Sequence, residues 1–331
     1  MTLLSPLPPS IEQTRALDLV RTGKRFLLLG HVRPDGDCLG AQAALSRVLT
    51  ALGKEVWVLN SDPLPPALDY LADAARYRVY SGGELPAHDV SVFLDFCELE
   101  RCGPLAAPLR AAGSKKLVID HHISHGEPWW DEAYVDVRAA ATGLLVWRMA
   151  RQLGVTIDAA GARGVFTSIV TDTGWFKYSN TDAEVFLAIS EMVSAGVVPS
   201  ALYNSIYQRS GRDEPRGIAR ALARLEYFDG GKLAVIDLPL ATADSFDLAD
   251  SDAVLDLVRA VEVVEVVLFL RESRDGTCKL SARSKTSRDV NALARRFQGG
   301  GHAKASGATL KLPLAEAKQR LVAAALEMWG S

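Results

Sequence analysis

Short apolar runs alternate with helix-like stretches through the first part of the chain, and this alternation restricts the possible folds more than any other feature. The runs are RFLLLG at 25–30, EVWVLN at 55–60, VSVFLD at 90–95 and KLVID at 116–120. Strands separated by helices form βαβ units, whose strands lie parallel. Nearly continuous apolar strands are typical of a sheet covered by helices on both faces. The pattern predicts an α/β fold with a doubly wound, mostly parallel sheet.

The pattern changes further along the chain, which indicates a second domain. Residues 139–206 carry apolar residues at helical spacing, and a charged helix then precedes four more strand-like runs with intervening helices. A length of 331 residues suits two domains. We predict a metal-binding catalytic domain over 1–205, a linker helix over 206–225, and a smaller α/β domain with a mixed sheet over 226–331.

Charge and hydropathy exclude several classes of protein. The 37 basic and 40 acidic residues give a net charge of −3, which argues against a protein that coats long nucleic acid. Residues 271–304, however, hold nine lysines and arginines against three acidic residues, an excess that suits a small phosphorylated ligand. The longest apolar runs fall short of the roughly 20 residues of a membrane span, and the amino terminus lacks a secretory pattern. We therefore expect no membrane partner and a cytoplasmic location.

Acidic residues and histidines follow the predicted strands. The carboxyl ends of parallel strands meet at one edge of a sheet, which is where doubly wound sheets bind ligands. Each residue alone could be a turn or helix-capping residue, but their coincidence at one edge favours a common site. A further acid follows a helical stretch in FTSIVTDTGWF. The set comprises His31, Asp35 and Asp37 on a bent loop after the first strand, then Asp95, Asp120, His121, His122 and Asp172.

These five aspartates and three histidines could ligate two divalent ions if one aspartate bridges them. A mixed set of imidazoles and carboxylates suits Mn²⁺, Mg²⁺ or Zn²⁺. Two ions about 3.5–4 Å apart can polarise a phosphoryl oxygen, activate a water and stabilise the leaving oxygen. The chain has neither a GxGxxG loop nor a Walker loop. The residues therefore favour hydrolysis of a phosphoester or phosphoanhydride.

A glycine run near the carboxyl end is a candidate for binding an anion. The helix DVNALARRFQ leads into Gly299, Gly300, Gly301 and His302, and small side chains let backbone amides approach an anion closely. A glycine run after a helix is also common as a helix cap followed by a flexible loop. The basic surplus, with Arg283 nearby, favours phosphate or nucleotide binding.

Taken together, the motifs resemble those of the DHH phosphoesterase superfamily. GHVRPDGD, FLDFCELERCG, VIDHH and VTDTGWFKYSNT are similar to its first four motifs, and GGGHAKASG is similar to the signature of its DHHA1 domain. The chain resembles the two-domain nano-RNase and pAp phosphatase type in particular. The resemblance implies two bound divalent ions, of which Mn²⁺ is the expected metal, and a homodimer.

The resemblance also implies roles for individual residues. One metal would lie on His31, Asp35 and Asp95, and a second on Asp37, Asp95, His121 and Asp172, so that Asp95 bridges the two. Asp120 would support the histidines, and His122 would face the scissile phosphate. The terminal phosphate or base of the substrate would be held by Arg283, Ser284, Gly299, Gly300, Gly301 and His302.

The expected activity is Mn²⁺-dependent degradation of dinucleotides, other short oligonucleotides or pAp to nucleoside monophosphates. A cyclic-di-AMP phosphodiesterase is the alternative within the superfamily. A soluble pyrophosphatase is less favoured, because the glycine-histidine segment suits a nucleotide. A non-catalytic nucleotide sensor is the alternative from another class, and loss of a metal ligand would favour it.

Overall fold

The computed structural model describes residues 9–123, 127–243 and 252–330. The chain divides into two compact units, residues 1–209 and 210–331. Each unit is built around its own six-stranded sheet. Both are α/β, as the sequence pattern predicts.

The sheet of the first unit is entirely parallel. Its spatial order is β3-β2-β1-β4-β5-β6, so consecutive strands run outward in both directions from β1, which confirms the doubly wound prediction. The order reverses between β1 and β4, and open sheets of this kind bind ligands outside the carboxyl ends of the strands at such a point. The strands are β1 (Arg25–Leu29), β2 (Glu55–Asn60), β3 (Tyr77–Val79), β4 (Val90–Leu94), β5 (Lys115–Asp120) and β6 (Glu132–Val135).

Helices and apolar side chains cover both faces of this sheet. One core packs the sheet against α1, α2, α4 and α5, and another forms around Leu27, Phe93 and Trp129 on the opposite face. The helices are α1 (Ile11–Thr22), α2 (Gly36–Ala51), α3 (Ala106–Ala111), α4 (Thr142–Gln152), α5 (Ala159–Asp172), α6 (Ala183–Ser194) and α7 (Pro199–Tyr207), with 3-10 helices at Pro66–Asp73 and Leu99–Leu105. Within the described ranges, no single helix is long and apolar enough to cross a membrane; only α6 and α7 taken together, with a bend of 104° between them, reach that length and composition.

Helices α2 and α5 cross at unusually short range because glycines face each other. A Cβ atom on Gly40 would lie 2.5 Å from the carbonyl oxygen of Gly164, and one on Gly164 would lie 2.6 Å from the carbonyl oxygen of Gly40. A Cβ on Gly36 would lie 2.4 Å from the side chain of Thr171. Since real Cβ atoms do not approach so closely, only glycine permits this crossing. It brings the start of α2 beside the end of α5.

The second unit contains a mixed sheet, as predicted. Its order is β11-β12-β10-β9-β8-β7, and β8 and β9 are parallel while the other pairs are antiparallel. Its strands are β7 (Leu225–Phe228), β8 (Leu233–Leu238), β9 (Val266–Glu272), β10 (Cys278–Ser284), β11 (Gly300–His302) and β12 (Ala305–Leu310). Its helices are α8 (Glu214–Leu222), α9 (Leu240–Ala243), α10 (Asp252–Arg259), α11 (Val290–Arg295) and α12 (Leu314–Trp329), with a 3-10 helix at Asp229–Gly231.

The predicted linker helix over 206–225 is longer than the helix observed there. Helix α7 ends at Tyr207, α8 runs only from Glu214 to Leu222, and β7 begins at Leu225. Pro215 fixes the start of α8, because proline fits only the first turn of a helix. Helix α8 lies within the second compact unit.

Candidate metal centre

The strands of the first sheet deliver the predicted site residues to one edge. His31 follows β1, Asp95 follows β4, and Asp120 is the last residue of β5. All three side chains are buried. Asp95 has φ 73°, in the left-handed region that costs a side chain other than Gly, Asn or Asp about 1 kcal/mol or more. This left-handed conformation, which aspartate tolerates, lies at the end of a central strand and turns the carboxylate to the edge where the other residues lie.

The first motif forms a helix start rather than only a bent loop. Asp35 caps the amino terminus of α2, where its Oδ1 accepts a hydrogen bond from the backbone N–H of Cys38. Asp37 lies in the first turn of α2, so the expectation that His31, Asp35 and Asp37 share a loop is wrong for Asp37. Asp172 is the last residue of α5. The close crossing of α2 and α5 therefore places Asp37 near Asp172.

Three residues form the first group of possible ligands. The Nε2 atom of His31 lies 3.5 Å from Asp95 Oδ2 and 3.9 Å from Asp35 Oδ1. On the other side of the ring, Nδ1 lies 3.0 Å from the carbonyl oxygen of Val32. A carbonyl can only accept, so Nδ1 donates to it, and in the neutral imidazole Nε2 would present its lone pair to the carboxylates.

The second group surrounds His121. Its Nε2 atom lies 3.4 Å from Asp37 Oδ2, 3.6 Å from Asp95 Oδ1 and 3.4 Å from Asp172 Oδ2. Its Nδ1 lies 3.1 Å from the carbonyl oxygen of Ala139, which again directs the lone pair of Nε2 into the group. The two oxygens of Asp95 thus face different histidines. Asp95 would therefore be placed to bridge two ions if each group held one.

The electrostatics of these groups fit a divalent cation. His121 Nε2 is buried and, among the described residues, has no hydrogen-bond partner. Burial and the neighbouring carboxylates raise the pKa of Asp95 well above its ordinary value and raise the pKa of Asp172 to about 8. Burial also raises the pKa of Asp37. Cations would relieve this repulsion and satisfy the imidazole, and the oxygen and imidazole donors match hard divalent ions.

Asp120 stays outside these two groups and holds the histidines instead. Its Oδ1 accepts hydrogen bonds from the backbone N–H groups of His121 and His122, and lies 2.8 Å from His122 Nδ1. Its Oδ2 accepts from the thiol of Cys97 at 3.0 Å. Burial opposes ionisation of Asp120, but the hydrogen bonds from His122 and Cys97 outweigh it and lower its pKa. The hydrogen bond to Asp120 raises the pKa of His122, whose side chain is 38% exposed at the rim of the site.

Sequence reasoning missed two residues that bind the metal-site carboxylates. Thr142, the first residue of α4, donates its N–H to Asp37 Oδ2 at 2.8 Å and its hydroxyl to Asp95 Oδ1 at 3.0 Å. Ser168 donates its hydroxyl to Asp37 Oδ1, which also accepts from the N–H of Gly143. The only signal in the sequence is a helix start, AATG, that has no capping side chain of its own, and Asp37 supplies that cap from another helix.

In the second unit, the strand register aligns two of the predicted substrate-binding residues. Arg283 on β10 pairs with Ala305 on β12, which pairs with His302 on β11. Directly paired residues of antiparallel strands point to the same face, so Arg283 and His302 stand in one row with only an alanine between them. The next row on that face consists of Ser281, Gly307 and Gly300. The result is a floor of small residues beside a polar row.

The remaining predicted residues have other positions. Ser284 follows Arg283 in β10 and therefore points to the opposite face, where it is buried and its hydroxyl donates to the carbonyl oxygen of Thr286. A Cβ on Gly299 would lie 2.2 Å from the carbonyl oxygen of Gly307, and Gly301 has φ 138°. These two glycines are required by the backbone, whereas a Cβ on Gly300 would meet no atom within 4 Å.

Comparison with known proteins agrees with this architecture. A family model described as the DHH family, N-terminal domain, matches residues 25–169, and one described as the DHHA1 domain matches residues 230–329. The chain is 35% identical over 300 residues to a protein of Thermus thermophilus named bifunctional oligoribonuclease and PAP phosphatase NrnA, with 90% of this chain and 88% of that protein covered.

Solved structures show the same fold. An exopolyphosphatase-related protein from Bacteroides fragilis superposes with a TM-score of 0.89 at 26% identity, over 98% of both chains. RecJ from Thermus thermophilus in complex with Mn²⁺ gives a TM-score of 0.58 at 16% identity and covers 98% of this chain and 56% of its own, so this likeness concerns the fold alone. The order of motifs, the two matched domains and the relative that is 35% identical lead to one conclusion: the chain belongs to the DHH family and carries the DHHA1 domain after its DHH domain.

Proposed function

We propose that this chain is a metal-dependent phosphohydrolase that degrades short oligonucleotides and pAp to nucleoside monophosphates. The observation that carries the proposal is the group around His121 Nε2, a buried unpartnered nitrogen with three carboxylate oxygens at 3.4–3.6 Å. The relative from Thermus thermophilus, named for oligoribonuclease and PAP phosphatase activities, supports the substrate class.

Two divalent ions, with Mn²⁺ as the favoured metal, fit the two groups of ligands. His31, Asp35 and Asp95 would hold one ion, and Asp37, Asp95, His121 and Asp172 the other. When bound, such a pair of ions polarises a phosphoryl oxygen, lowers the pKa of a water and stabilises the leaving oxygen.

The residues of the chain itself orient the reaction. Asp120 fixes the His122 ring through Nδ1, so the Nε2 edge of that ring is available to a phosphate at the rim of the site. In the second unit, Arg283 and His302 offer a cationic side chain and an imidazole in one row, which suits a terminal phosphate or a base edge. Gly300 leaves the adjacent floor open to a sugar or base. A cytoplasmic homodimer remains a prediction from the sequence.

The experiment is product analysis of the purified chain with Mn²⁺ on a dinucleotide, pAp, cyclic di-AMP and long RNA. We expect mononucleotides from the dinucleotide and AMP from pAp, no activity in excess chelator, and loss of more than about 100-fold in kcat for Asp95→Asn. Asp18→Asn, a change at an exposed carboxylate of α1, is the matched control and should retain full activity. Turnover by the Asp95→Asn enzyme at the wild-type rate would overturn the metal mechanism. Faster cleavage of cyclic di-AMP than of the dinucleotide and pAp would show that cyclic dinucleotides are the substrate class instead.

A non-catalytic sensor is disfavoured by the same geometry. A sensor has no need of a complete ligand set, yet all six predicted metal ligands lie in the two groups around His31 and His121, and Asp95 belongs to both. Binding of pAp without release of any product would restore the sensor hypothesis.

A further inference from the structure

Thr142 forms hydrogen bonds to Asp37 and Asp95, the two most deeply buried carboxylates among the predicted metal ligands. It is fully buried at the start of α4, with its N–H on Asp37 Oδ2 and its hydroxyl on Asp95 Oδ1. The backbone bond is an ordinary helix cap, since Asp37 takes the place of a capping side chain. The hydroxyl bond is different, because it leaves the helix and reaches a residue that follows strand β4.

The bond to Asp95 bears on how that carboxylate is rotated. Asp95 Oδ2 faces His31 at 3.5 Å, and Asp95 Oδ1 faces His121 at 3.6 Å. A free carboxylate can rotate about its Cβ–Cγ bond, which would move both oxygens away from these positions. A hydrogen bond from the Thr142 hydroxyl to Oδ1 opposes that rotation. It also leaves a lone pair of Oδ1 for another partner, because a carboxylate oxygen accepts more than one contact.

We propose that Thr142 is a positioning residue that fixes the rotation of Asp95, so that its two oxygens hold two different ions. The inference rests on the proposed two-ion centre and adds the device that makes Asp95 a bridge rather than a ligand of one ion. Residues that orient metal ligands commonly change metal affinity by about 10- to 100-fold when they are removed. The expected loss falls on the second ion, because one ion can still take both oxygens of a rotated carboxylate.

The test measures metal binding directly, without substrate. Isothermal titration with Mn²⁺ gives the number and affinity of the ions, and electron paramagnetic resonance shows whether two Mn²⁺ ions are close enough to couple. For the wild type we expect two ions per chain and a coupled signal. For Thr142→Val we expect one ion at nearly wild-type affinity and a second ion that binds at least about 10-fold more weakly. When the first site is full and one further equivalent of Mn²⁺ is added, the variant should show no coupled signal. Thr142→Ser keeps the hydroxyl and should restore both.

Thr167→Val is the matched control. Thr167 is also fully buried, but its hydroxyl donates to the carbonyl oxygen of Arg163 rather than to a carboxylate, and it lies 2.8 Å from the Tyr70 hydroxyl. The Thr167→Val protein should bind two Mn²⁺ ions with the affinities of the wild type. If the valine variant at 142 does not fold, Thr142→Ala is measured in the same way.

The outcomes separate this inference from the proposed function. Failure of the wild type to bind two ions overturns the proposed two-ion centre and this inference with it. Two coupled ions in Thr142→Val at wild-type affinities overturn the role of Thr142 alone. Equal weakening of both ions also overturns it, since the hydroxyl would then support the whole site rather than the bridge.

Discussion

Asp95 combines two features that destabilise the protein when no cation is bound. The residue is 2% exposed, and it lies among other carboxylates that, together with burial, raise its pKa. Buried charges are retained when they are paired or coordinate a metal. Asp95 therefore stabilises the protein only when a cation is bound to its carboxylate.

Asp95→Asn should raise the stability of the metal-free protein. The amide removes a buried ionisable group that lies near four other carboxylates, and asparagine tolerates the left-handed backbone that Asp95 adopts. We expect a gain of about 1–4 kcal/mol in the free energy of unfolding in chelator. Urea denaturation of both proteins in EDTA and in Mn²⁺ measures it, and with Mn²⁺ the wild type should become the more stable. A variant that is less stable than the wild type in EDTA would contradict the electrostatic argument.

The glycine run divides into residues with different tasks. Gly299→Ala places a Cβ against the carbonyl oxygen of Gly307, so we expect a loss of about 1–3 kcal/mol in stability. Gly300→Ala meets open space and should leave the melting temperature unchanged while it raises KM for a dinucleotide, because the new methyl group stands on the small-residue floor. Thermal melts and steady-state kinetics separate the two. Equal stability of both variants would mean that Gly299 is not needed for packing.

At the scale of elements, the crossing of α2 and α5 determines how close Asp37 and Asp172 lie. Asp37 lies in α2 and Asp172 ends α5. The distance between their carboxylates therefore depends on how closely the two helices cross at Gly40 and Gly164. The sequence indicated both acids, but it could not indicate the helix crossing, because a glycine within a helix does not show which residue it packs against.

Gly40→Ala should therefore weaken metal binding from a position that touches no ligand. The added methyl would lie 2.5 Å from the Gly164 carbonyl oxygen, so the helices must separate, and Asp37 moves with α2. We expect a loss of about 1–3 kcal/mol in stability and a lower Mn²⁺ affinity by titration calorimetry. Gly113→Ala, at an exposed glycine with no atom within 4 Å of the added Cβ, is the control and should change neither quantity. Unchanged Mn²⁺ affinity in Gly40→Ala would show that the crossing does not position the ligands.

The long apolar strands and the strand-end clusters were predictable, because burial on both faces and the parallel arrangement leave marks in the sequence. The strands β3, β6, β7 and β11 were not predicted. They have three or four residues each. They form because a neighbouring strand offers hydrogen bonds, and the local sequence does not show which strand will lie beside them. A flexible loop was the alternative considered for the glycine run, yet pairing with β12 makes part of it the edge strand β11. The family resemblance implied a common role for Arg283 and Ser284, whereas alternation along β10 directs their side chains to opposite faces.

At the scale of the whole molecule, the two candidate sites lie in different compact units. The carboxylates and histidines belong to residues 1–209, and the row of Arg283 and His302 belongs to residues 210–331. Each unit has its own sheet and its own core. A change in the second unit can therefore alter substrate binding without disturbing the metal ligands.

His302→Ala or Arg283→Ala should raise KM for a dinucleotide roughly 10- to 100-fold, since contacts to a charged group contribute about 1.5–3 kcal/mol. Cleavage of a small activated phosphoester, which has no nucleotide for the row to hold, should remain near the wild-type rate. Kinetics on the two substrates with Mn²⁺ measure the difference. Equal losses on both substrates would show that the row is not a separate recognition site.

The left-handed backbone at Asp95 also affects how stabilised forms of this protein could be obtained. A library selected for heat resistance in metal-poor medium would enrich glycine or asparagine at position 95, because both tolerate the left-handed backbone and remove the buried charge. The survivors would be robust and inactive. Selection with Mn²⁺ in excess should reverse that preference. An ion that binds only the folded chain stabilises it by mass action, so chains that keep Asp95 would then be the more stable ones. The metal content of the medium would thus decide whether a search for stability keeps or discards the centre.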